Sequence, residues 1–204
     1  MSCVSGIWSV HCIKGFSLSD SDERELERRH RQILRLRLPD EPVDQRFQSE
    51  RDCVFRLSDV RWPDGPVCGK CGDGRPSWVE SRRLFQCRRC RYQYSVTAGT
   101  NLHRTRIDLR LWFHTAEVAI RSWSSPISVR AVAIDLGVPV ATAHRMRKIV
   151  LKDISRDGRG LLSEAVCLPI GHLPDGIVAG SPEHLERLKL QRARHIEDME
   201  ENFH

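Results

Sequence analysis

The spacing of apolar residues divides this chain into stretches of different period, and each period predicts an element. Residues 1–18 show neither a helical nor a strand repeat and are expected to be a disordered lead-in. Residues 19–38 read as a helix. Ser19 and Asp22 form a capping-box signature, acids crowd the first turn, and Pro39 closes the end. Glu25 and Glu27 precede Arg28, Arg29 and Arg31 at helical spacing, which predicts ion pairs along a solvated surface. Asp52-Cys-Val-Phe-Arg-Leu57 then offers one or two apolar helical turns before Trp62-Pro-Asp-Gly65. Residues 77–81 and 83–86 alternate with the period of a β-hairpin. Residues 91–96 add a short third strand with Tyr92, Tyr94 and Val96 on one face.

From Leu109 the period becomes 3.6. Trp112, Phe113, Ala116, Ala119 and Ile120 make an apolar stripe, with Asp108 placed to cap it. After Ser124-Ser-Pro126 come two helices in quick succession, residues 129–136 and 140–151, joined by Leu136-Gly-Val138. This is helix-turn-helix spacing, with Val132, Leu136, Val138, Ala143 and Met146 facing inward and Ala133 small where the helices cross. Ala141, Thr142, His144, Arg145 and Lys148 face outward, short groups and cations that suit a DNA major groove. An ordinary helical hairpin inside an all-α core has the same pattern. Residues 157–180, rich in Gly and Pro, read as a linker. Ser181-Pro-Glu183 starts a last helix whose Leu185, Leu188, Ile196 and Met199 share one side, interrupted by Arg192. That helix is amphipathic enough to dock on the body or pair with a second copy.

Cysteine spacing adds chemistry to this outline. Cys68 and Cys71 form one Cys-x-x-Cys pair and Cys87 and Cys90 another, with fifteen residues between the pairs. Four thiolates at this spacing suit one tetrahedral Zn²⁺ in a zinc ribbon. Four unrelated thiols or two disulfides are the alternative. Four cysteines fill the coordination sphere and leave no open position, so the metal is expected to be structural. Three short strands cannot stand without it. The other cysteines, Cys3, Cys12, Cys53 and Cys167, suggest no disulfide framework, and Cys53 and Cys167 read as buried apolar residues. Metal-binding thiols point to a reducing, cytoplasmic location, and no apolar run is long enough to span a bilayer.

Net charge is +6, and its distribution says more than its size. Residues 61–110 hold 11 Lys and Arg against 4 Asp and Glu; residues 121–156 hold 7 against 2. The flanks are near-neutral or acidic. A basic centre of this kind fits a nucleic-acid surface, although a solvated basic face has the same composition.

The expected fold is therefore mainly α with a small β zinc ribbon, followed by a helical helix-turn-helix domain. The expected divisions are 1–50, a flexible N-terminus with one charged helix; 51–104, the ribbon; 105–156, the helix-turn-helix; and 157–204, linker and amphipathic helix.

Three segments carry a family resemblance. They are Arg61-Trp-Pro-Asp-Gly-Pro-Val-Cys-Gly-Lys-Cys-Gly72, Phe85-Gln-Cys-Arg-Arg-Cys-Arg-Tyr-Gln-Tyr-Ser-Val-Thr-Ala-Gly-Thr100, and the Trp112-Phe113 helix with the helix pair after it. Together they resemble the front half of zinc-ribbon transposases of bacterial insertion sequences, of the DDE nuclease class, over roughly residues 50–165. The resemblance implies that Cys68, Cys71, Cys87 and Cys90 bind zinc, that the region grips the ends of a mobile element, and that the helix after Gly137 reads double-stranded DNA. It also implies a first catalytic aspartate near Gly160-Leu-Leu-Ser-Glu-Ala-Val-Cys-Leu-Pro-Ile-Gly171. Here that place holds Cys167-Leu-Pro169, and Glu164 and Asp175 read as solvated loop residues. Phosphoryl transfer with two metals needs several carboxylates gathered on a folded sheet, so no catalysis is expected.

These readings give a non-catalytic, zinc-containing DNA-binding protein, a truncated or domesticated transposase acting as a transcriptional regulator on the nucleoid. Arg82, Arg83, Arg88, Arg89 and Arg91 are candidates for phosphate contacts, and Thr142, His144, Arg145 and Lys148 for the groove. The alternatives are a ribbon adaptor docking on a polymerase, and the DNA-binding subunit of a split transposase. A dimer is a further possible assembly. His11, His30, His103, His114, His172, His184, His195 and His204 show no ligand spacing, and His114 reads as a boundary residue.

Overall fold

The computed structural model describes residues 19–122, 128–158 and 160–201, with side chains as far as Glu197. The lead-in at 1–18, Ser124-Ser-Pro126 and the side chain of Met199 lie outside this description. Eight helices surround and flank a three-stranded sheet: α1 (Asp20–Arg37), α2 (Val43–Arg46), α3 (Glu50–Arg61), β1 (Pro76–Val79), β2 (Leu84–Cys87), β3 (Gln93–Tyr94), α4 (Leu109–Arg121), α5 (Val129–Leu136), α6 (Val140–Ile154), α7 (Leu161–Val166) and α8 (Pro182–Glu201). The fold is thus mainly helical with a small zinc-ribbon sheet, as the sequence predicts. Among the described residues no helix is long and apolar enough to cross a membrane.

Local rules set most of the helix ends. Ser19 and Asp22 form the reciprocal capping box of α1, and Ser49 with Asp52 does the same for α3. Asp108 caps α4 by accepting from the Arg110 N–H at 2.9 Å, and Ser128 caps α5 through the Ala131 N–H at 3.1 Å. Gly137 ends α5 at φ +63°, a left-handed conformation that glycine adopts without steric cost.

Helix α1 is more than a surface rod. Its expected pairs are present, Arg28–Glu25, Arg29–Glu25 and Arg31–Glu27, but Ile33, Leu34, Arg37 and Leu38 are buried. The half with acids and arginines faces water, and the Ile-Leu turn at its end docks in the core. Helix α3 runs three turns because Cys53, Val54 and Leu57 all face inward.

The segment read as a linker contains α7. Leu162, Ala165, Val166 and Cys167 are buried, and the Asp153 carboxylate accepts from the Leu162 N–H at 2.7 Å. Glu164 is no loop acid. It lies on α7 and holds the buried Arg37 guanidinium through two bonds of 2.8 and 2.6 Å, while the Leu168 carbonyl accepts from Arg37 Nε at 2.8 Å. Six residues are too few to show a helical period among glycines and prolines, which is why the sequence hides this element. Asp175 does lie exposed in a turn.

Helices α4 and α6 pack side by side, α5 lies on α6, and α7 closes the group against α3 and α4. Phe113, Ala116, Met146, Val150 and Ile154 fill the interior between them. The inward set of α5 and α6 is as predicted, except that Val138 is only partly buried. His114 bonds Asp135 of α5, with Nε2 and Oδ2 2.6 Å apart.

Candidate metal centre and nucleic-acid surface

Two knuckles of similar backbone shape bring the four cysteines together. In the first, the Gly72 N–H donates to the Cys68 carbonyl at 2.8 Å; in the second, the Arg91 N–H donates to the Cys87 carbonyl at 3.0 Å. The residue after each second cysteine is left-handed, Gly72 at φ +72° and Arg91 at φ +61°. These turns aim amide groups at sulfur: Lys70 N–H lies 3.4 Å from Cys68 Sγ and Cys90 N–H 3.5 Å from Cys87 Sγ.

The sulfurs of Cys68, Cys71, Cys87 and Cys90 all lie within 4.8 Å of one another. Cys68 and Cys90 are 3.6 Å apart, and Cys71 and Cys87 3.5 Å. Zn–S bonds of about 2.3 Å in a tetrahedron place sulfurs about 3.8 Å apart, so the cage has the size of one Zn²⁺. All six described cysteines are free thiols, which removes the disulfide alternative here. Electrostatics inside the cage also calls for a cation. Desolvation raises the Cys68 thiol, but the Cys71 and Lys70 N–H groups outweigh it and bring it down to about 7. The Asp73 N–H favours a Cys71 thiolate, yet desolvation and the three neighbouring sulfurs push Cys71 up to about 12. The thiols hydrogen-bond one another, and a dication would let all four serve together as thiolate ligands. The site suits one structural Zn²⁺ held by four cysteines.

The sheet that carries these knuckles is antiparallel, in the order β1-β2-β3. Trp78 faces Phe85 across the first pair, and Phe85 faces Tyr94 across the second. Strand β3 is two residues long, shorter than expected, because Cys87 N–H turns to the Tyr92 carbonyl to form the knuckle. Helix α3 is the platform beneath. Trp62 meets Phe85 and Tyr94 edge-on at 6.0 and 5.9 Å, and Phe55 lies 5.5 Å from Trp78. Arg61 Nη1 donates to the Val96 carbonyl at 2.6 Å.

Around this platform the predicted arginines fall into two groups. Arg82, Arg83, Arg88, Arg89 and Arg91 are all exposed. Arg83 forms an ion pair with Glu50, and Arg82 bonds the Gln93 side chain at 3.2 Å. Among the described residues no carboxylate pairs with Arg88, Arg89 or Arg91. On α6, His144, Arg145 and Lys148 are exposed and Thr142 is half-buried.

Other chemistry-bearing residues appear only in three dimensions. Cys53 and Cys167 are buried, and desolvation pushes both thiols up to about 12, which makes them unreactive core residues. His172, His184 and His195, far apart in sequence, line one cleft beside the end of α1. Among the described residues, no His, Cys, Asp or Glu cluster other than the four cysteines has the geometry of a metal site.

Residues 48–93 match the family model described as the transposase zinc-ribbon domain. The matched span covers α3 as well as the knuckles, which agrees with the aromatic packing that joins them. Over 102 residues, 48% of this chain, the sequence is 28% identical to an uncharacterized protein in transposable element ISH50 of Halobacterium salinarum. That match covers 34% of the relative's length. No solved structure matches. The region is transposase-like in sequence and builds the metal cage that the domain's description names.

Proposed function

We propose that this protein is a non-catalytic, zinc-dependent DNA-binding protein derived from a transposase and acting as a transcriptional regulator. The observation that carries the reading is the match of residues 48–93 to a transposase zinc-ribbon domain, on a ribbon whose Arg88, Arg89 and Arg91 stand exposed with no carboxylate partner among the described residues. In this reading the segment 51–104 grips phosphates, and 105–156 is a helix-turn-helix whose α6 enters the major groove. Arg88, Arg89 and Arg91 contribute most of the ribbon's phosphate contacts, because Arg83 is engaged by Glu50 and Arg82 by Gln93. Arg145 and His144 reach base edges, while Thr142 and Lys148 flank them. Phosphate contacts set affinity and salt dependence without sequence information, whereas a bidentate Arg–guanine contact is worth about 1–3 kcal/mol of discrimination.

The absence of catalysis belongs to the same proposal. It rests on the match of residues 48–93 to a zinc-ribbon domain and on Cys167-Leu-Pro169 standing where the resemblance expects the first catalytic aspartate. Four thiols gathered for a metal support a reducing compartment, hence action in the cytoplasm on the nucleoid. The relative's place in a transposable element favours a second reading, the DNA-gripping subunit of a transposase whose catalytic residues lie elsewhere.

The test is duplex binding by zinc-loaded full-length protein across a salt series. Log Kd against log salt should be linear with a slope set by several phosphates. Arg88→Ala should lower that slope by about 1. Binding to duplex DNA that is absent at low salt, or indifferent to salt, would sink the reading.

A further inference from the structure

A residue with a side chain rarely adopts positive φ, because its Cβ then crowds the following carbonyl oxygen. Glycine fills such positions without penalty, and Asn and Asp fill them more often than other residues. Among the described residues, the positive-φ positions not held by glycine are Arg83 at +50°, Arg91 at +61° and Arg104 at +57°. Lys and Arg together are 33 of the 204 residues, so composition alone does not make all three arginine. All three lie between β1 and α4.

Arg83 has an internal reason to be there, since Glu50 of α3 pairs with it. Arg91 and Arg104 do not. Both are exposed, and among the described residues neither guanidinium makes a hydrogen bond or an ion pair. Arg91 takes the left-handed position that Gly72 takes in the first knuckle. Two knuckles of one shape thus differ in a single respect: the first uses glycine, and the second keeps a cation where the backbone is strained. Arg104 is the third residue of a turn closed by the Thr105 N–H on the Leu102 carbonyl at 3.0 Å, a place that positive φ ordinarily gives to Gly or Asn. The turn is anchored on both sides. Leu102 is 3% exposed, and Thr105 Oγ1 accepts from Trp112 Nε1 at 3.1 Å. The Arg104 side chain therefore extends into solvent from a rigid support.

Strain kept at an exposed, unpartnered side chain does nothing for the fold and marks a contact outside it. Charge says which kind. Residues 88–107 hold five arginines and no acid. Asp108, the first acid after them, is engaged by Arg110. Such a run suits a polyanion more than one carboxylate. Resting on the DNA-binding reading above, we infer that Arg104 contacts a DNA phosphate, so that the interface continues from the second knuckle to the turn 102–105. Arg91 and Arg104 are its two cations held in left-handed backbone.

The test pairs duplex affinity with thermal stability in zinc-loaded full-length Arg91→Gly, Arg104→Gly and Arg104→Lys proteins. Each glycine substitution should leave the melting temperature unchanged or raise it, because the φ penalty disappears. Each should also lower the slope of log Kd against log salt by about 1 and weaken duplex binding by about threefold at moderate salt. Arg104→Lys keeps the charge and should keep the slope. Three results, with wild-type protein still binding duplex, would overturn the inference and leave the DNA-binding reading standing. They are an unchanged slope in Arg104→Gly, a slope lost equally in Arg104→Lys, and a melting temperature lowered by Arg104→Gly, which would make the arginine a part of the fold. Absence of duplex binding by the wild type would overturn both.

Discussion

The ribbon and the helical body solve the same problem, a shortage of core, in opposite ways. In the body, α4, α5, α6 and α7 bury Phe113, Ala116, Met146, Val150, Ile154 and Leu162 almost completely. Its turns are short and its order follows from apolar contact. The ribbon has three strands of four, four and two residues, and much of its own apolar interior is Phe85 and Tyr94 with the cysteines. So little buried surface cannot offset the backbone entropy of the two knuckles. Sulfur and metal supply what packing does not, and the aromatic seam onto α3 attaches the result to the body. The comparison teaches where each region is vulnerable: the body to lost volume, the ribbon to lost charge balance and backbone freedom.

Removing zinc should divide the two regions most sharply. Structural zinc in small domains contributes on the order of 10 kcal/mol or more of binding free energy that is also folding free energy. A strong chelator, or Cys87→Ser, should therefore abolish the Phe85–Tyr94 sheet and alter the emission of Trp62 and Trp78. Most of the helical circular dichroism should persist. Loss of the helical signal in step with zinc would show that the body depends on the metal too.

Phe113→Ala should do the reverse. Phe113 is fully buried and packs edge-on against Phe47 at 4.9 Å, so truncation should cost about 3–5 kcal/mol in denaturant unfolding. The zinc stoichiometry at low temperature should not change. Next in size is Glu164→Ala, which strips the carboxylate from a guanidinium that is 4% exposed. Glu164 itself is 37% exposed, and water screens the pair, so about 1–3 kcal/mol is expected rather than the larger cost of breaking a fully buried pair. A urea titration that finds no loss would mean that water replaces the carboxylate.

The smallest effect belongs to the knuckle backbone. Gly72 has φ +72° and open space where a Cβ would stand. Gly72→Ala should therefore lower ribbon stability by about 1 kcal/mol through conformation alone. Gly74→Ala, at an unstrained glycine with equally open surroundings, is the control and should leave the melting temperature unchanged. Equal effects from both would remove backbone strain as the cause.

Legibility in the sequence followed the length and periodicity of each element. The starts of α1, α4, α5 and α8 and the end of α5 lie where Ser19, Asp108, Ser128, Ser181 and Gly137 place them, because caps and a left-handed glycine act locally. The zinc cage was legible because two knuckles need only a spacing. Short elements supported by tertiary contact were not. Helix α7 has one turn and a half between glycines, and its Glu164 partner Arg37 is 127 residues away. The third turn of α3 forms because the ribbon's aromatic residues cover Phe55 and Trp62, which no local pattern records. His184 resembled any helix-start histidine until the fold buried it beside Arg187.

In vitro selection from random duplex DNA with zinc-loaded full-length protein tests the proposed function most directly, because it separates grip from reading. The account predicts an enriched motif that Arg145→Ala relaxes, and a Kd that Arg88→Ala raises alike for the motif and for unrelated sequence. Recovery of no motif from a folded, zinc-loaded protein, or equal effects of the two substitutions on matched and mismatched duplexes, would contradict it.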